Sequence, residues 1–469
     1  MELSSFTDEI TPKDPTSLAT FESLSNYAGM MAAVFMPFCY DWKGRKFGFL
    51  IGNIIAFIGS AISVFGSLNP TNDTAANVYY FGRFIAVLGI DISAGCSWMY
   101  ANELAHPAHR AYFGGLFGIA WSIGSFIDSL IWRFPTIMQM VFSVLIIITL
   151  PFIPESPRTL VSKGREEEAE KVVREWVGCS IASEQFVQEQ MAELRESLAG
   201  GPKNESIFEV YNMSPLWSTK NASRRIFIMI ITNAVINLLN VGTTGGIFAT
   251  LIYEQIGLGS DRQKTAINLG NTFLSIIVGC IASLYMDIWG RRRTYMIGYG
   301  ISFVLGFIGA IAMEGFRDTS LSGYSYLYIF SVFLGTIYST PLSCVKLLFE
   351  AELMAYSYRA KGKALSDFTL KPSNVILTYM QSAVYSAIDT RSFWVAQGYV
   401  LIFWGLHWFI MPETRGRTLE EVDEIFDHPS PMYTEWFHKN SGEVNYVKHS
   451  LNLLKEKEIE SGDPLPVKA

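Results

Sequence analysis

Two groups of charged residues in this sequence have the types and spacing needed for pairing between arginine and carboxylate. The first group contains the motif DWKGRK, which begins at Asp41, then Glu103 and Arg110, which are seven residues apart, and then PESPR, which begins at Pro154. The second group contains DIWGRRR, which begins at Asp287, then Glu352 and Arg359, which are also seven residues apart, and then PETRGR, which begins at Pro412. Carboxylates accept the forked donors of a guanidinium group bidentately. We therefore predict ion pairs within these groups. The candidate residues are Asp41, Gly44, Arg45, Glu103, Arg110, Glu155, Arg158, Asp287, Gly290, Arg291, Glu352, Arg359, Glu413 and Arg417.

The segments that position these residues are apolar runs of about 20 residues, the length that crosses the hydrocarbon core of a bilayer. Hydrophobic residues make up 50% of the 469 residues and charged residues only 17%, which is unlike a soluble protein of this length. The runs lie at about 22–40, 47–67, 79–101, 112–131 and 134–153, and then at about 226–250, 264–286, 294–313, 324–348, 363–388 and 394–411. The sequence thus predicts an all-α membrane protein with about 11 transmembrane helices.

A long polar segment divides the predicted spans into two sets. We predict a polar N-terminal tail (1–20), an N-terminal bundle of five spans (21–153), a central linker (154–225), a C-terminal bundle of six spans (226–411) and a C-terminal tail (412–469). Basic residues concentrate in the loops of one side, which places that side, the linker and the C-terminal tail in the cytoplasm. The linker alternates acids and bases with apolar residues at helical spacing over 161–200, which predicts one or two amphipathic helices; a solvated linker is the alternative.

The charged groups recur at nearly constant offsets. DWKGRK and DIWGRRR are 246 residues apart, the Glu–Arg pairs are 249 apart, and PESPR lies 258 residues before PETRGR. Three motifs in one order at similar offsets predict two related halves. Two apolar runs precede Asp287 within the second half, whereas one run precedes Asp41, so we expect the first half to lack its first span.

Other classes of function lack their signatures. The sequence contains no GxxxxGK[ST] loop for nucleotide binding and no basic tract for nucleic acid. It also contains no combination of nucleophile, base and orienting residue, and no metal-ligand spacing. We therefore expect neither an enzyme nor an ATP-driven machine, and no cofactor, metal or nucleic-acid partner.

The ordered motifs resemble those of the sugar porter family of the major facilitator superfamily, most closely its fungal hexose and lactose permeases. The resemblance rests on D-x-x-G-R-[RK] after the second span of each half, PESPR and PETRGRTLEE after the last, and GRFIAVLGI, ELAHPAHR and FEAELMAYSYRAKGKA; it runs from about Phe21 to Phe426. It implies two pseudo-symmetric helical bundles, a substrate site near the midplane and transport by rocking of the halves. The charged groups would then form a gate where the cytoplasmic ends of the halves meet. The alternative is that they only end helices and orient the protein.

The resemblance also implies positions for sugar contacts. Family residues that bind sugar hydroxyls correspond to Asn240 and Thr244 in the seventh span and to Ser275, with Asn268, in the eighth. For these residues, hydrogen bonding between helices is the alternative. The sugar-stacking tryptophan of the tenth span falls on Ser339. Trp121 matches the family in the fifth span, where we expect core packing as its main role.

Ionisable residues inside spans are costly and by default mark functional sites. Asp91 lies deep in the third apolar run, Asp128 nears the outer end of the next, and Lys346 and Glu350 are spaced to pair on one helical face. Proton-coupled members of the family take the proton on an aspartate of the first span, which we expect to be absent. Asp91 is the candidate substitute; alternatively, it faces a water-filled cavity without taking part.

Two hypotheses follow for the function. The first is a multi-pass transporter of the plasma membrane that moves a sugar, a hexose or a disaccharide such as lactose, by alternating access as a proton symporter. Its partners would be the sugar, protons and the lipid bilayer, and we expect a monomer. The second is a sensor paralogue that does not transport, or a truncated and inactive transporter.

Overall fold

The structure is a computed structural model that describes residues 15–39, 44–66, 73–104, 110–128, 133–177, 184–199, 212–244, 249–258, 260–354, 359–388 and 391–414. Within these ranges every regular element is a helix. The first half contains α1 (Pro15–Pro37), α2 (Arg45–Gly66), α3 (Asp73–Leu104), α4 (Arg110–Asp128) and α5 (Arg133–Thr149). Each of the five apolar runs predicted before the linker therefore falls on one helix.

The central segment folds into short helices with a core of their own. These are α6 (Pro157–Ser162), α7 (Glu166–Val172), which continues as a π-helical turn to Val177, and α8 (Glu184–Ala199). Their buried faces meet through Leu160, Ala169, Val172, Val173, Val177, Val187, Met191 and Leu194. The exposed faces carry ion pairs such as Arg174 with Glu184, at 2.7 Å from Nη1 to Oε2. The amphipathic helices predicted here are confirmed, and they pack together rather than forming a solvated linker.

The second half contains α9 (Lys220–Thr244), α10 (Ala249–Gln255), α11 (Asp261–Trp289), α12 (Arg291–Thr319), α13 (Ser322–Leu353), α14 (Arg359–Ile388) and α15 (Ser392–Ile410). The predicted span at 226–250 falls on most of α9 and on the first residues of α10. Its residues 245–248 lie outside the described part.

Six of the described helices are long and apolar enough to cross a membrane by length and composition: Arg45–Phe65, Asn77–Ala101, Arg262–Tyr285, Arg291–Thr319, Ser322–Lys346 and Ser392–Ile410. They belong to α2, α3, α11, α12, α13 and α15. Among the other predicted spans, α14 carries Lys363, Asp367 and Lys371 in its interior. The charges of α14 therefore need partners inside the protein.

Two of the contacts between the halves occupy equivalent positions of the repeat. Helix α1 packs against α14, and α4 packs against α11. Helices α1 and α11 both precede a D-x-x-G-R motif, and α4 and α14 both begin at the arginine of the Glu–Arg pair. A two-fold axis that exchanges the halves would also exchange these two contacts, as expected for a parallel repeat with an axis along the membrane normal.

Candidate functional site

The motif residues of the first half form a cluster at its cytoplasmic end. Arg45 at the start of α2 donates to Glu103 near the end of α3, from Nη2 to Oε1 at 3.1 Å and from Nε at 3.3 Å. The hydroxyl of Ser156 donates to the other oxygen of Glu103. Glu155 accepts the backbone N–H of Lys46 at 3.3 Å. Three segments that are distant in sequence are thus joined by one arginine and two glutamates.

The second half repeats this cluster residue for residue. Arg291 donates to Glu352 from Nη2 at 2.5 Å and from Nε at 3.1 Å, and the hydroxyl of Thr414 donates to the same carboxylate at 2.6 Å. Glu413 accepts the backbone N–H groups of Arg291 and Arg292 at 2.9 and 3.1 Å. These N–H groups begin α12, where helical donors are unpaired and a carboxylate is favoured.

The turns that lead into α2 and α12 explain the glycine of each motif. Gly44 has φ +106° and Gly290 has φ +82°, a region that L side chains rarely adopt. A Cβ at Gly44 would also lie 3.1 Å from Oε2 of Glu155. The glycine therefore lets the turn bring the helix N-terminus onto the glutamate.

The described pairs of the two cytoplasmic clusters lie within one half each. Arg45 pairs with Glu103 of its own half, and Arg291 with Glu352 of its own half. Each pair thus ties helix ends of a single bundle, and the gate expected where the halves meet stays a prediction. Arg158 is buried beside Glu103. Asp41 and Arg417 lie outside the described residues, as do the side chains of Arg110, Asp287 and Arg359.

The cluster of the first half keeps Glu103 ionised. Burial of this carboxyl raises its pKa, but the charges of Arg45 and Arg158 and the hydrogen bonds from Ser156 and Arg45 outweigh burial and hold the pKa of Glu103 below its usual range. The carboxylate thus stays charged under ordinary conditions and retains both of its described donors.

A second set of polar contacts lies deeper, where α4 meets α11. The hydroxyls of Ser122 and Ser275 are 3.1 Å apart, and those of Ser275 and Thr340 on α13 are 2.9 Å apart. We call Ser122, Ser275 and Thr340 the neutral triad. Its members carry no charge, and the rings of Phe126 and Phe273 pack nearby across the same contact with centroids 6.3 Å apart.

The corresponding contact between α1 and α14 is charged. Nζ of Lys371 on α14 lies 2.7 Å from Oδ2 of Asp91 on α3, and the two side chains are 20% and 21% exposed. Gly29 of α1 lies beneath this pair: a Cβ there would be 2.5 Å from Oδ2 of Asp91 and 2.5 Å from Cε of Lys371. We call Asp91, Gly29 and Lys371 the charged triad.

The two triads occupy equivalent positions of the repeat. Asp91 and Thr340 are 249 residues apart, Ser122 and Lys371 are also 249 apart, and Gly29 and Ser275 are 246 apart, which are the offsets of the motifs. In one triad the Ser275 hydroxyl bridges two short side chains. In the other, glycine leaves room for a long lysine to reach the aspartate directly. The same three backbone positions are thus filled with different chemistry.

Both triads lie at one depth. Lys371 and Ser122 are each 12 residues from the cytoplasmic start of their helices, and Asp91 and Thr340 are each 13 residues from the cytoplasmic end of theirs. At a rise of about 1.5 Å per residue these positions lie about 18–20 Å from the cytoplasmic helix ends. This is near the middle of helices that cross a membrane.

The other predicted substrate residues are placed as follows. Asn240 and Thr244 lie on the last turns of α9, where the structure does not describe side chains. The carbonyl oxygen of Asn268 on α11 accepts the hydroxyl of Thr272. Ser275 is the one of the predicted set that the described contacts bring into a triad. The role of these residues in sugar binding remains a prediction.

One expectation for a single residue was wrong. Trp121 is 78% exposed and does not pack in a core, because its neighbour Ser122 takes the face of α4 that meets α11, about 100° away on the helix. The carbonyl oxygen of Ser339 accepts a hydrogen bond from Ser343, and the adjacent Thr340 joins the neutral triad. A part for Ser339 in sugar binding stays a prediction.

Lys371 is the main residue that the sequence analysis missed. Its signal was present, because Lys363, Asp367 and Lys371 recur every four residues within a predicted span. The predicted pair of Lys346 and Glu350 is confirmed at 3.7 Å, and Lys363 extends it by donating to Glu350 at 3.3 Å and to Asp367 at 2.7 Å. Ser122 and Thr340 were also missed as partners of Ser275.

Comparison with known proteins finds similarity over most of the chain. A family model described as "Sugar (and other) transporter" matches residues 7–426. A protein named "Probable quinate permease" from Aspergillus terreus is 23% identical over 462 residues, which cover 91% of this chain and 83% of the relative. "Sugar transporter STL1" of Saccharomyces cerevisiae is 24% identical over 415 residues, which cover 84% and 69%.

Solved structures share the fold. The proton:xylose symporter XylE bound to 6-bromo-6-deoxy-D-glucose superposes with a TM-score of 0.69 at 18% identity, covering 90% of this chain and 93% of the other. A partially occluded inward-open form of XylE from E. coli gives a TM-score of 0.67 at 16% identity, covering 88% and 93%. The described helices therefore adopt the major facilitator fold.

Proposed function

Because this chain belongs to the sugar transporter family, we propose that it carries a sugar, a hexose or a disaccharide such as lactose, across the plasma membrane by alternating access with protons as the coupling ion. The observation that carries the proposal is the pair of triads at mid-depth, where the two halves meet. A solute site at the midplane between halves is the arrangement that a rocking transporter requires. In this proposal the chain acts as a monomer, since each chain contains both halves.

The neutral triad has the chemistry for hydroxyl recognition. Each of Ser122, Ser275 and Thr340 both donates and accepts a hydrogen bond, as the hydroxyls of a sugar do. A sugar hydroxyl would replace one hydroxyl partner with another at little net cost in hydrogen bonds. We assign the predicted sugar residues Asn240, Thr244 and Asn268 to the same site as a proposal.

The cytoplasmic clusters have a proposed part in gating. Each cluster fixes the ends of three segments of its half, through Arg45 and Glu103 or through Arg291 and Glu352. Each bundle can therefore move as a rigid body, which a rocking mechanism needs. The motif residues outside the described part, Asp41 among them, would make the contacts between halves.

Asp91 is the proposed proton site. The charged side chains that face it are Lys371, Asp367 and Lys363 of α14, and the network continues to Glu350 and Lys346 of α13. Helix α1 contributes Gly29 at this point and carries no charged side chain in residues 23–39. Separation of Asp91 from Lys371 would leave a lone carboxylate at mid-depth, where taking up a proton avoids the cost of a buried charge.

The proposal is tested by uptake of labelled glucose and lactose into transporter-deficient cells at two external pH values, with surface labelling to show delivery. We expect saturable uptake that rises at acid pH, and in Asp91→Asn the pH dependence is lost. Absence of uptake from a chain shown to be at the surface would reject transport of these sugars and favour the sensor hypothesis. Uptake with equal rates at both pH values would reject proton coupling alone.

A further inference from the structure

We propose that Lys371 binds the carboxylate of a polyhydroxylated carboxylic acid, which is the substrate class of this transporter or one of its classes. The proposal rests on the proposed function, since it names the solute for the same midplane site. In the structure the carboxylate of Asp91 occupies the place that the substrate carboxylate takes. Lys371 is then an anchor for charge, and the neutral triad is available for hydroxyls.

Among the described residues, the ion pair shares no salt bridge with the neighbouring charges. Lys363 is shared between Glu350 and Asp367, and Lys346 also lies 3.7 Å from Glu350. Among the described residues, Lys371 forms its salt bridge with Asp91. Replacement of this one carboxylate by another leaves the rest of the network unchanged.

The pair is also accessible. The Lys371 and Asp91 side chains are 20% and 21% exposed, whereas Glu350 is 5% exposed and Lys363 14%. Lys371 and Asp91 are thus the more exposed members of this group of charges. An ammonium group acts as a point charge with three donors, so a small carboxylate can approach from more than one direction.

The repeat shows that the charge is not needed to hold the halves together. At the equivalent positions of the other contact, Ser122, Ser275 and Thr340 join α4, α11 and α13 with neutral hydrogen bonds. A buried ion pair gives less stability than its geometry suggests, because both charges lose water. Packing of the helices therefore does not explain why a lysine and an aspartate lie at mid-depth, where Gly29 leaves space for them.

The exchange conserves charge. When the substrate carboxylate takes over Lys371, Asp91 is released and binds one proton, so that an anion and a proton enter together as a neutral sum. The charged groups around this step are Lys363 and Asp367 on α14 and Lys346 and Glu350 on α13. No bond other than that to the transferred proton is made or broken.

The first experiment measures binding, which does not depend on transport. Quinate, a ring with several hydroxyls and one carboxylate, is added to the purified full chain in detergent, and thermal unfolding is followed. We expect quinate to raise the Tm of the wild-type protein, its neutral methyl ester to have less effect, and Lys371→Gln to lose the quinate effect. An equal response to acid and ester would overturn the proposal, as would a quinate response that survives in Lys371→Gln.

The second experiment tests whether Lys371 binds the substrate carboxylate or only holds the two halves together, a role that we call a latch. The double variant D91N/K371Q leaves neither charge of the pair without its partner, so we expect it to fold even where a single variant fails. The matched control is Asn374→Ala, which removes a neutral hydrogen bond to Asn26 across the same contact between α1 and α14. We expect N374A to keep saturable quinate uptake and D91N/K371Q to lose it at least tenfold. Quinate uptake by the double variant at the wild-type rate would show a latch and overturn the proposal.

The third experiment rebuilds the neutral triad at the charged position. The variant G29S/D91T/K371S places the residue types of Ser275, Thr340 and Ser122 at the equivalent positions. We expect it to lose quinate uptake and to take up glucose or lactose without dependence on external pH. If the wild-type chain takes up these sugars but shows neither quinate binding nor quinate uptake, this inference fails while the proposed function stands. If quinate binds at Lys371 but no solute is transported, the proposed function fails and the inference keeps only its statement about binding.

Discussion

The charged triad and the neutral triad occupy equivalent positions of the repeat but contain different residue types. Both link helices of the two halves at the same depth, at positions separated by the repeat offsets of 246 and 249 residues. Where Ser275 supplies a bridging hydroxyl, Gly29 supplies space, and the lengths of the facing side chains change to match. A symmetric backbone thus carries an asymmetric site, and the asymmetry lies at mid-depth where the two halves meet.

The cytoplasmic clusters show the opposite behaviour. Arg45, Glu103 and Ser156 correspond to Arg291, Glu352 and Thr414 with nearly the same bonds. Parts that hold each bundle together have kept their chemistry in both halves. The contrast indicates that the triads are the place where the two halves acquired different tasks.

The largest expected effect is the loss of one partner of the charged triad. Lys371→Ala leaves Asp91 without its described partner, and we expect the free energy of unfolding to fall by about 3 kcal/mol. The equivalent change in the neutral triad, Ser122→Ala, should cost about 1 kcal/mol because only a neutral hydrogen bond is lost. Thermal unfolding of both variants in detergent gives the two values. Equal losses would show that Lys371 behaves as an ordinary polar contact.

A smaller effect is expected from the position beneath each triad. Gly29→Ala places a methyl group 2.5 Å from Oδ2 of Asp91, so the pair must move, and we expect a loss of about 2 kcal/mol. Ser275→Ala removes a bridging hydroxyl and should cost about 1 kcal/mol. The same unfolding measurement applies. If Gly29→Ala were as stable as the wild type, the close approach at Gly29 would have no role.

The clusters should respond equally in the two halves. Ser156→Ala and Thr414→Val each remove one hydroxyl that donates to a paired glutamate, and each should cost about 1.5 kcal/mol. The comparison is made in one protein preparation with unfolding as the readout. A large difference between the two variants would contradict the equivalence of the clusters.

The smallest expected effect is a dependence on pH. The pKa of Glu103 is lower in the folded state than its ordinary value of 4.5, so its pairing stabilises the fold above that value and is lost as pH falls through the lower folded pKa. We expect the free energy of unfolding to decrease below pH 4.5. We expect Glu103→Gln to be less stable than the wild type at neutral pH and to lose less stability as the pH falls below 4.5. If the variant lost as much stability below pH 4.5 as the wild type, groups other than Glu103 would be responsible for that loss.

The sequence predicted the clusters better than the triads, for a physical reason. Arg45, Gly44 and Glu155 lie in short motifs at helix ends, so that their spacing alone indicates a contact. Triad residues are single positions within long helices, and the face that each presents depends on how the helix is rotated in the bundle. The exposed Trp121 beside the buried Ser122 shows the size of this effect, about 100° for one residue.

Lys371 was missed for a different reason. The run at 363–388 was interpreted as a span by its overall hydrophobicity, although charges recur in it every four residues. Asp91 was singled out as an ionisable residue in a span, yet its partner lies 280 residues away and belongs to the other half. The repeat offset relates Asp91 to Thr340 and Ser122 to Lys371, but it cannot relate Asp91 to Lys371. Only the packing of α3, α1 and α14 brings these two together.

The most direct measurement is an experimental structure of the full chain with quinate bound. The account predicts that the quinate carboxylate lies within hydrogen-bond distance of Nζ of Lys371 and that the carboxylate of Asp91 has moved away from it. A structure in which Asp91 and Lys371 remain paired while quinate lies elsewhere, or does not bind, would contradict the account.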